Sequence, residues 1–384
     1  MSPARVHPTA GHVTPVELFF DLVFVFTVTQ LTGALEDHLT WAGLGRTVVL
    51  LGLLWYPYTS YAWLTNQVPP HTLATKLPLF AGMAGFLLTS VAIPAAFLQA
   101  GLLFALGYLV LTSVHLVLFS HSEAHAAAVR LAPYNIGAAL LVVLAAFITG
   151  AAAYALFTAA ALIQAALPYL TPRLSWIRAA GTYRIAATHF VERHGLLVIV
   201  GLGESVVAIG ASVDPYQREP GTAIAIVMSL ALPAALWWTY FTDTQDAVTA
   251  LDTADPDTST RLAARTYVLP HYLLLLGIIL TATGIHATVA HPGAPADTRA
   301  AVALAGGTTL YLAGLTAVRL ALRLDPPRSR PIGAVAVLAT VPLGVAVSTG
   351  AQLAAVIIIL TVMLLAGRRR PASAEPDRPA AGTG

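Results

Sequence analysis

The sequence contains no cysteine, and only 10% of its 384 residues are charged. The lack of cysteine excludes disulfide bonds, thiolate metal sites and a cysteine nucleophile. Soluble domains carry about 25% charged residues, so the low charge excludes a typical soluble enzyme and a disordered chain. The net charge of +2 gives no electrostatic reason to expect nucleic acid as a partner. With 57% hydrophobic residues, the chain is predicted to lie in a lipid bilayer, with membrane lipids as its surroundings.

Long apolar segments occur throughout the chain. A helix that crosses a bilayer needs about 20 mostly apolar residues. Near Gly150 and near Gly350 two neighbouring segments are barely separated, so ten to twelve crossings fit the pattern. The predicted fold is an all-α, polytopic integral membrane helix bundle of about twelve transmembrane helices, at 17–35, 44–64, 78–97, 102–120, 133–149, 152–170, 190–213, 221–241, 267–290, 301–322, 332–349 and 351–366.

The basic residues fall on one side of the predicted bundle. With twelve crossings, 17 of the 20 Lys and Arg residues share a side with both termini, and the other side has only Arg46, Arg218 and Arg299. Cytoplasmic loops of membrane proteins carry an excess of Lys and Arg. We therefore expect a multi-pass protein of the plasma (cytoplasmic) membrane, the inner membrane of the cell, with both termini in the cytoplasm. The segment before Glu17 lacks the pattern of a cleaved signal peptide, so the first helix is expected to remain.

Three pairs of segments suggest an internal duplication. VELFFDLVFV (16–25) aligns with VERHGLLVIV (191–200) at an offset of 175, and LWYPYTSY (54–61) aligns with LWWTYFTD (236–243) at 182. LGYLVLTSV, which begins at residue 106, aligns with TLYLAGLTA at an offset of 203. Shared membrane composition is the alternative explanation.

A duplication of this kind gives two six-helix halves. Because each half has an even number of helices, the repeats are expected to be parallel, with an axis along the membrane normal. The predicted organisation is a cytoplasmic N-terminal segment, a first membrane repeat, a basic cytoplasmic linker, a second membrane repeat and a disordered cytoplasmic tail, at 1–16, 17–170, 171–189, 190–366 and 367–384.

Two acids lie at the start of the first helix. Glu17 and Asp21 are four residues apart and therefore share a helix face. Glu17 lies in the first turn, where a helix N-terminus favours an acid, so a capping charge is a sufficient explanation for it. Asp21 lies one turn deeper, which favours a functional role or a specific ion pair.

The seventh predicted helix carries charged residues at two depths. His189, Arg193 and Glu204 fall within one arc of about 60°, and Glu192 flanks that arc. Arg193 with Glu17, Asp21 or Glu192 is compatible with a salt-bridge cluster that joins the two halves. Glu204 lies about 16 Å along the axis from Arg193, near the middle of the membrane.

Buried charge at that depth needs a partner, water or a bound cation. Glu204 therefore has three possible roles: a proton carrier, a cation ligand or half of a buried pair. Gly201 and Gly203 beside it allow a close helix contact or a local break.

Other polar and aromatic residues have simpler explanations. His115 and His271 are candidate proton relays, but a single histidine in a helix is often only hydrogen bonded. The aromatic residues near 54–63 and 236–241 are explained by an interfacial belt, with an aromatic substrate pocket as the alternative. The acidic segment 242–266 is expected to be a solvated linker, with cation or partner binding as the alternative.

Two segments together resemble one known family. VTPVELFFDLVFVFTVTQLT (13–32) and HFVERHGLLVIVGLGESVVAIG (189–210) are similar to the bacterial low-temperature-requirement A family of multi-pass membrane proteins. The resemblance implies an integral membrane protein linked by name to growth in the cold, and it transfers no biochemical activity. A fainter similarity joins Phe20 and Asp21 to the Arg-x-x-x-Phe-Ser-Asp motif of six-helix potassium channels, but the Arg and the Ser are missing here.

The sequence favours an ion- or proton-coupled transporter with a site between the two halves. The candidate coupling residues are Glu204, Asp21 and Glu17, and an unknown small ion or solute is the expected partner. The alternatives are a non-transporting lipid-environment sensor or scaffold and, with less support, a cation channel. We find no arrangement typical of an enzyme, so no catalytic residue, cofactor or metal site is expected. The sequence does not indicate the oligomeric state.

Overall fold

The computed structural model describes residues 13–98, 101–121, 125–165, 185–212 and 220–367. These residues form an all-helical bundle and contain no β-strand. The α-helices are α1 (Pro15–Asp37), α2 (Trp41–Gln67), α3 (Leu73–Ala92), α4 (Gly101–Ser120), α5 (His125–Ala145), α6 (Ala151–Ala165), α7 (Ala187–Ser212), α8 (Pro220–Phe241), α9 (Thr244–Asp252), α10 (Pro256–Tyr267), α11 (Leu269–Ala290), α12 (Thr298–Ala321), α13 (Ser329–Leu338), α14 (Val341–Ala346) and α15 (Thr349–Gly367).

Within the described ranges, the predicted helices and the observed helices correspond closely. Nine helices or adjoining helix pairs are long and apolar enough to cross a membrane, and α2, α5 and α6 occupy the three remaining predicted segments. The predicted helix 332–349 is divided into the short helices α13 and α14. Most of the predicted linker and tail, with the end of the predicted helix 152–170, lies outside the described residues. The chain is therefore a multi-pass helical membrane protein.

Local sequence explains where α1 begins. The hydroxyl of Thr14 accepts a hydrogen bond from the backbone amide of Glu17, and the Glu17 carboxylate accepts one from the backbone amide of Thr14. Pro15 occupies the first helical position, where its missing N–H costs no hydrogen bond. This reciprocal arrangement is a capping box, and it fixes the Glu17 carboxylate at the entrance of the helix.

The segment 242–266 is helical, which corrects its interpretation as a solvated linker. It forms α9 and α10, and the inner face of α10 is buried against α11 and α12. Asp255 caps α10 by accepting a hydrogen bond from the amide of Thr258, and hydrogen bonds from the hydroxyl and amide of Thr258 lower the pKa of Asp255. Several other acids of the segment are exposed, but Asp243 is buried.

The aromatic residues of α2 lie inside the bundle, so the interfacial-belt interpretation is wrong for this helix. Tyr58 and Tyr61 are fully buried, and Trp55 is 3% exposed. The hydroxyl of Tyr61 donates to the backbone oxygen of Leu111 in α4 at 2.8 Å, and the indole N–H of Trp55 donates to the oxygen of Val268 at 2.8 Å. The aromatic side chains thus hold α2 to helices on two sides.

Helix α1 is placed centrally. It packs against α2 and α3, which follow it in sequence, and against α7 and α11, which lie far away in the chain. Its buried side includes Phe20, Phe24, Val28 and Leu31, all at most 1% exposed. The contact between α1 and α7 brings together the two charged segments identified in the sequence.

Candidate functional site: polar residues between two central helices

Helices α1 and α7 run parallel to each other. Contacts between residues of two parallel helices keep a nearly constant difference in residue number, and this one holds between 172 and 176. The contacting pairs are Glu17 with His189, Asp21 with Arg193, Glu17 with Arg193, and Thr29 with Glu204. The polar residues of the two helices therefore meet at matching depths along their length.

Arg193 forms the centre of an ion cluster at one end of this contact. Its Nη1 lies 3.2 Å from Oε1 of Glu17, and its Nη2 lies 3.1 Å from Oδ1 of Asp21. Its Nε donates to the same Asp21 oxygen at 3.3 Å, and its Nη1 donates to the hydroxyl of Thr65 in α2. Arg193, Glu17 and Asp21 are each 1% exposed. The cluster thus ties three helices together through charges that water barely reaches.

Histidine and amide groups extend the cluster. Nε2 of His189 lies 3.2 Å from Oε2 of Glu17, and Nδ1 of His189 lies 3.0 Å from the amide nitrogen of Asn66. Asn66 also accepts a hydrogen bond from the backbone amide of Ala186 at 3.2 Å. Asn66 therefore positions His189 and fixes the chain just before α7 begins.

The cluster has unequal numbers of positive and negative charges. One guanidinium faces two carboxylates, so the net charge is −1 when the imidazole of His189 is neutral and zero when it is protonated. The hydroxyl of Tyr58 donates to Oδ1 of Asp21 at 2.9 Å. Among the described residues, no hydrogen-bond partner reaches the other oxygen, Oδ2 of Asp21. The arrangement thus holds charge in an interior that is almost closed to water.

Glu192 lies on the side of α7 that faces the end of α8 and the start of α9. It lines a groove of about 310 Å³ between α7 and the junction of α8 with α9, together with Thr188 and Phe241. The sequence predicts that Glu192 flanks the arc of His189, Arg193 and Glu204, and this side of α7 faces the groove.

Glu204 lies farther along the same contact. The hydroxyl of Thr29 donates to Oε2 of Glu204 at 2.5 Å, and Glu204 is 5% exposed. Within the part of the chain that the structure describes, no basic side chain lies within ion-pair distance of Glu204. Of the two alternatives for Gly201 and Gly203, a close helix contact or a local break, the break is absent, since α7 is continuous there. A Cβ at Gly201 would lie in ordinary contact with Ile278 of α11.

Apolar side chains separate Glu204 from the ion cluster. Phe24 and Val28 of α1, with Leu197 and Val198 of α7, are all 0% exposed and occupy the intervening turns. On the other side of Glu204 the contact becomes polar again. Thr32 carries a buried hydroxyl, for which the described residues supply no partner.

Two titratable groups lie nearer the far end of α1. Oε2 of Glu36 lies 3.4 Å from Nδ1 of His286 in α11, and both side chains are partly exposed. Glu36 lies seven residues beyond Thr29, about 10 Å along the helix and on the same face. The polar groups along α1 thus occur at three depths: the ion cluster, the contact with Glu204 in α7, and the pair of Glu36 with His286 of α11.

A second ion network was missed by sequence reasoning. Oδ1 of Asp243 lies 2.8 Å from Nη1 of Arg319, and Oδ2 of Asp243 lies 2.6 Å from Nη1 of Arg330. Asp243 is 7% exposed and Arg330 is 4% exposed. The only signal was that Asp243 is the first acid after an apolar helix, and nothing in the sequence singled out its partners. This network joins the ends of α8, α12 and α13.

The two candidate relay histidines lie in other helix contacts. Nε2 of His271 lies 3.0 Å from the hydroxyl of Tyr240, and Nδ1 of His271 lies 3.0 Å from the backbone oxygen of Thr266. Because Nδ1 faces a carbonyl, it carries the hydrogen, and Nε2 accepts from Tyr240. The ring of His115 packs against Tyr61, with centroids 5.4 Å apart. Local hydrogen bonds explain the position of His271, and ring packing explains that of His115.

The long apolar helices of this bundle are those of a multi-pass membrane protein. Sequence comparison gives its family: the chain belongs to the bacterial low temperature requirement A proteins, with a match over residues 12–365. An uncharacterized protein of Rhizobium meliloti (strain 1021) is 30% identical over 309 residues, which are 78% of this chain and 75% of the relative. No solved structure matches the chain. The resemblance carried by the segments 13–32 and 189–210 is confirmed.

Proposed function

We propose that this chain is a proton-coupled membrane transporter with its coupling residue, Glu204, between two parallel six-helix repeats. The observation that carries the proposal is the environment of Glu204. This carboxyl group is buried near the middle of a membrane helix, and a neutral hydroxyl, that of Thr29, lies 2.5 Å away. A solute or ion that moves with the proton is the expected partner. The proposed function is transport, in which the transported solute is not chemically changed.

The chemistry of this pair suits a group that gains and loses a proton. A charged carboxylate at the centre of a bilayer costs about 3 kcal/mol or more, and protonation removes that cost. The Thr29 hydroxyl donates to a carboxylate and accepts from a carboxylic acid, so it satisfies Glu204 in both states. Proton carriers in pumps and transporters are acids and histidines placed in this way.

The order of helix packing supports the repeat. In the first half, α1 packs on α2 and α3, α4 packs on α3 and α5, and α6 packs on α5 and α2. In the second half, α7 packs on α8 and α11, α12 packs on α11 and α13, and α15 packs on α13 and α8. These six contacts of the first half match the six of the second half when α7, α8, α11, α12, α13 and α15 are matched with α1 to α6.

Close glycine contacts give a second line of support. A Cβ on Gly85 would lie 2.9 Å from the oxygen of Gly107, where α3 crosses α4. A Cβ on Gly277 would lie 2.7 Å from the oxygen of Gly307, where α11 crosses α12. Gly85 and Gly277 are 192 residues apart, and Gly107 and Gly307 are 200 apart. For the fourth helix of each half, the glycine contacts therefore favour an offset of 200 over the 203 of the alignment of LGYLVLTSV with TLYLAGLTA.

The position of Glu204 fits such an architecture. Transporters built from repeats place their sites between the repeats, near the middle of the membrane. Glu204 belongs to the first helix of the second half and contacts the first helix of the first half. From the distribution of Lys and Arg, we place both termini and the Arg193 cluster on the cytoplasmic side, with Glu36 towards the opposite side.

Proton flux in proteoliposomes tests the proposal. The full-length protein is reconstituted, a pH gradient is imposed, and the internal pH is followed with and without Na⁺ and K⁺ gradients. We expect wild-type protein to dissipate the pH gradient and Glu204→Gln to reduce the rate at least tenfold. Glutamine keeps the volume and accepts the Thr29 hydrogen bond, so the variant is expected to fold.

Glu192→Gln is the matched control, since it makes the same change on the same helix at a side chain that lines the groove beside Phe241. Its flux is expected to equal that of the wild type. Equal flux from Glu204→Gln and wild type contradicts the assignment of Glu204. Absence of flux in wild-type protein under every gradient contradicts coupling to these ions.

The buried cluster around Arg193 favours a second candidate, a non-transporting membrane scaffold or sensor. Three charges within 1% of full burial join α1, α2 and α7, which is an arrangement that also stabilises a fixed structure. In that case, Glu204→Gln changes thermal stability and no gradient drives flux. The same proteoliposomes therefore distinguish the two functions.

A further inference from the structure

An apolar groove lies between the two halves, near the end of α1 that is far from the ion cluster. It has a volume of about 310 Å³, which is in the range of small-molecule sites. The first half contributes the end of α1 and the start of α2, and the second half contributes α11, α12 and α13. The lining includes Leu35, Leu44, Leu280, Val302, Gly306 and Leu338.

The groove has the depth of one membrane leaflet. Along α12 its lining extends from Arg299, the second residue of the helix, to Leu310. Eleven residues of helix span about 16 Å, close to half of the roughly 30 Å hydrocarbon thickness. The hydroxyl of Thr309, at the inner end, donates to the backbone oxygen of Ala334 at 3.1 Å. The groove thus runs from the end of a helix to the middle of the bilayer and stops there.

The outer end of the groove is suited to a lipid headgroup. The guanidinium of Arg299 is exposed and uses Nη1 to cap the backbone oxygen of Leu39 at 3.3 Å. Within the described residues it makes no ion pair, so its other N–H groups can pair with a phosphate. Trp41 lines the same end and is 69% exposed, as is typical of tryptophan at the membrane interface.

We propose that this groove holds one phospholipid, with an acyl chain against Gly306 and Val302 and its phosphate on Arg299. The two requirements of that ligand, an apolar channel one leaflet long and a cation at its outer end, are both present. Because both halves line the groove, the bound lipid joins them where the protein itself leaves a gap. This site is independent of Glu204 and of the transport proposal.

Native mass spectrometry of the full-length protein tests the site. The protein in detergent is titrated with dioleoyl phosphatidylglycerol and, in parallel, with dioleoylglycerol, which has the same acyl chains and no phosphate. We expect one phosphatidylglycerol to bind at least tenfold more tightly than the next. Arg299→Gln is expected to weaken that binding severalfold and to leave dioleoylglycerol unchanged.

Filling the groove is the second arm of the test. A Cβ on Gly306, which lines the groove, meets no atom within 4 Å, so Gly306→Leu is designed to fill the groove with its side chain. It is expected to remove the tightly bound lipid, and Val302→Phe is expected to do the same. Gly210→Leu is the matched control, since its Cβ also meets no atom and it lies exposed on α7. Equal lipid binding by the filled variants and Gly210→Leu, or by Arg299→Gln and wild type, overturns the proposal.

Discussion

Thr29 and Glu204 form a 2.5 Å hydrogen bond and lie 175 residues apart, the offset that aligns residues 16–25 with 191–200. In the proposed repeats these two residues are therefore equivalent positions. Equivalent positions can touch only where the axis relating the repeats passes between them. The two halves differ at that point, because one contributes a hydroxyl and the other a carboxyl group. The contact therefore holds a single titratable group.

Thr29→Val tests the dependence of Glu204 on its neighbour. The valine removes the hydroxyl and leaves a buried carboxyl group without its described donor, which costs about 1–3 kcal/mol when such a group is unsatisfied. We expect slower proton flux in proteoliposomes and a lower melting temperature in detergent. Thr29→Ser keeps the hydroxyl and is expected to retain the flux. Equal flux in the valine and serine variants would contradict a role for the hydrogen bond.

Arg193→Gln is expected to destabilise the protein strongly. It leaves the carboxylates of Glu17 and Asp21 buried without their guanidinium, and breaking a buried pair costs about 3–5 kcal/mol. Thermal melting in detergent measures the loss. In a double-mutant cycle, Asp21→Asn is expected to recover part of it.

The same cycle with Glu204→Gln is the control. Arg193 and Glu204 share no contact and lie about 16 Å apart along α7, so their effects are expected to add within about 0.5 kcal/mol. Strong coupling between Arg193 and Glu204 would show that the two charges form one unit.

Gly85→Ala and Gly277→Ala are expected to destabilise the bundle to a similar degree. At each position a Cβ would lie within 3 Å of backbone atoms of the neighbouring helix, so the two helices must move apart. Overpacking of this kind costs about 1–3 kcal/mol. The loss is measured by melting in detergent. Gly210→Ala, where a Cβ meets no atom, is expected to melt at or slightly above the wild-type temperature. A loss at only one of the two crossings would argue against equivalent repeats.

Asp243→Asn is expected to lower the melting temperature, whereas Asp246→Asn is expected to have little effect. Both carboxylates lie within 3.0 Å of Nη1 of Arg319, but the Asp243 side chain is 9% exposed and the Asp246 side chain is 52% exposed. Exposed ion pairs contribute about 0–1 kcal/mol, whereas a buried pair that loses one partner costs several times more. Equal melting of the two variants would show that burial of Asp243 has no energetic consequence.

Most of the long helices could be predicted from the sequence because a membrane helix is marked by the length of its apolar segment. The partner of Glu17 and Asp21 could be anticipated from the sequence. Helical spacing places the two acids on the same face of α1, and the segment 189–210 supplies Arg193. The direction of Glu192 could not be predicted, since a residue at the edge of an arc faces either neighbour.

The burial of the α2 aromatic residues could not be predicted for a related reason. Tyrosine and tryptophan suit both a membrane interface and a protein core, and only the packing of α1, α4, α6 and α7 around α2 decides between them. The ion network of Asp243 depends on residues 76 and 87 positions away, whose proximity is set by the tertiary fold. The helices in 242–266 were not predicted because several acids in the segment suggested a solvated linker. Most of those acids are exposed on the outer side of the two helices.

Helix α2 combines central packing with a composition poorer in aliphatic residues than its neighbours. It is absent from the nine described helices or helix pairs whose hydropathy suits a membrane crossing, yet Leu54, Tyr58 and Tyr61 are 0% exposed. Transfer of a helix of this composition from the translocation channel into lipid is only weakly favourable by itself. We therefore expect the insertion of α2 to depend on contacts that other helices provide. Because α1 is synthesised first and packs directly on α2, it supplies the earliest of those contacts.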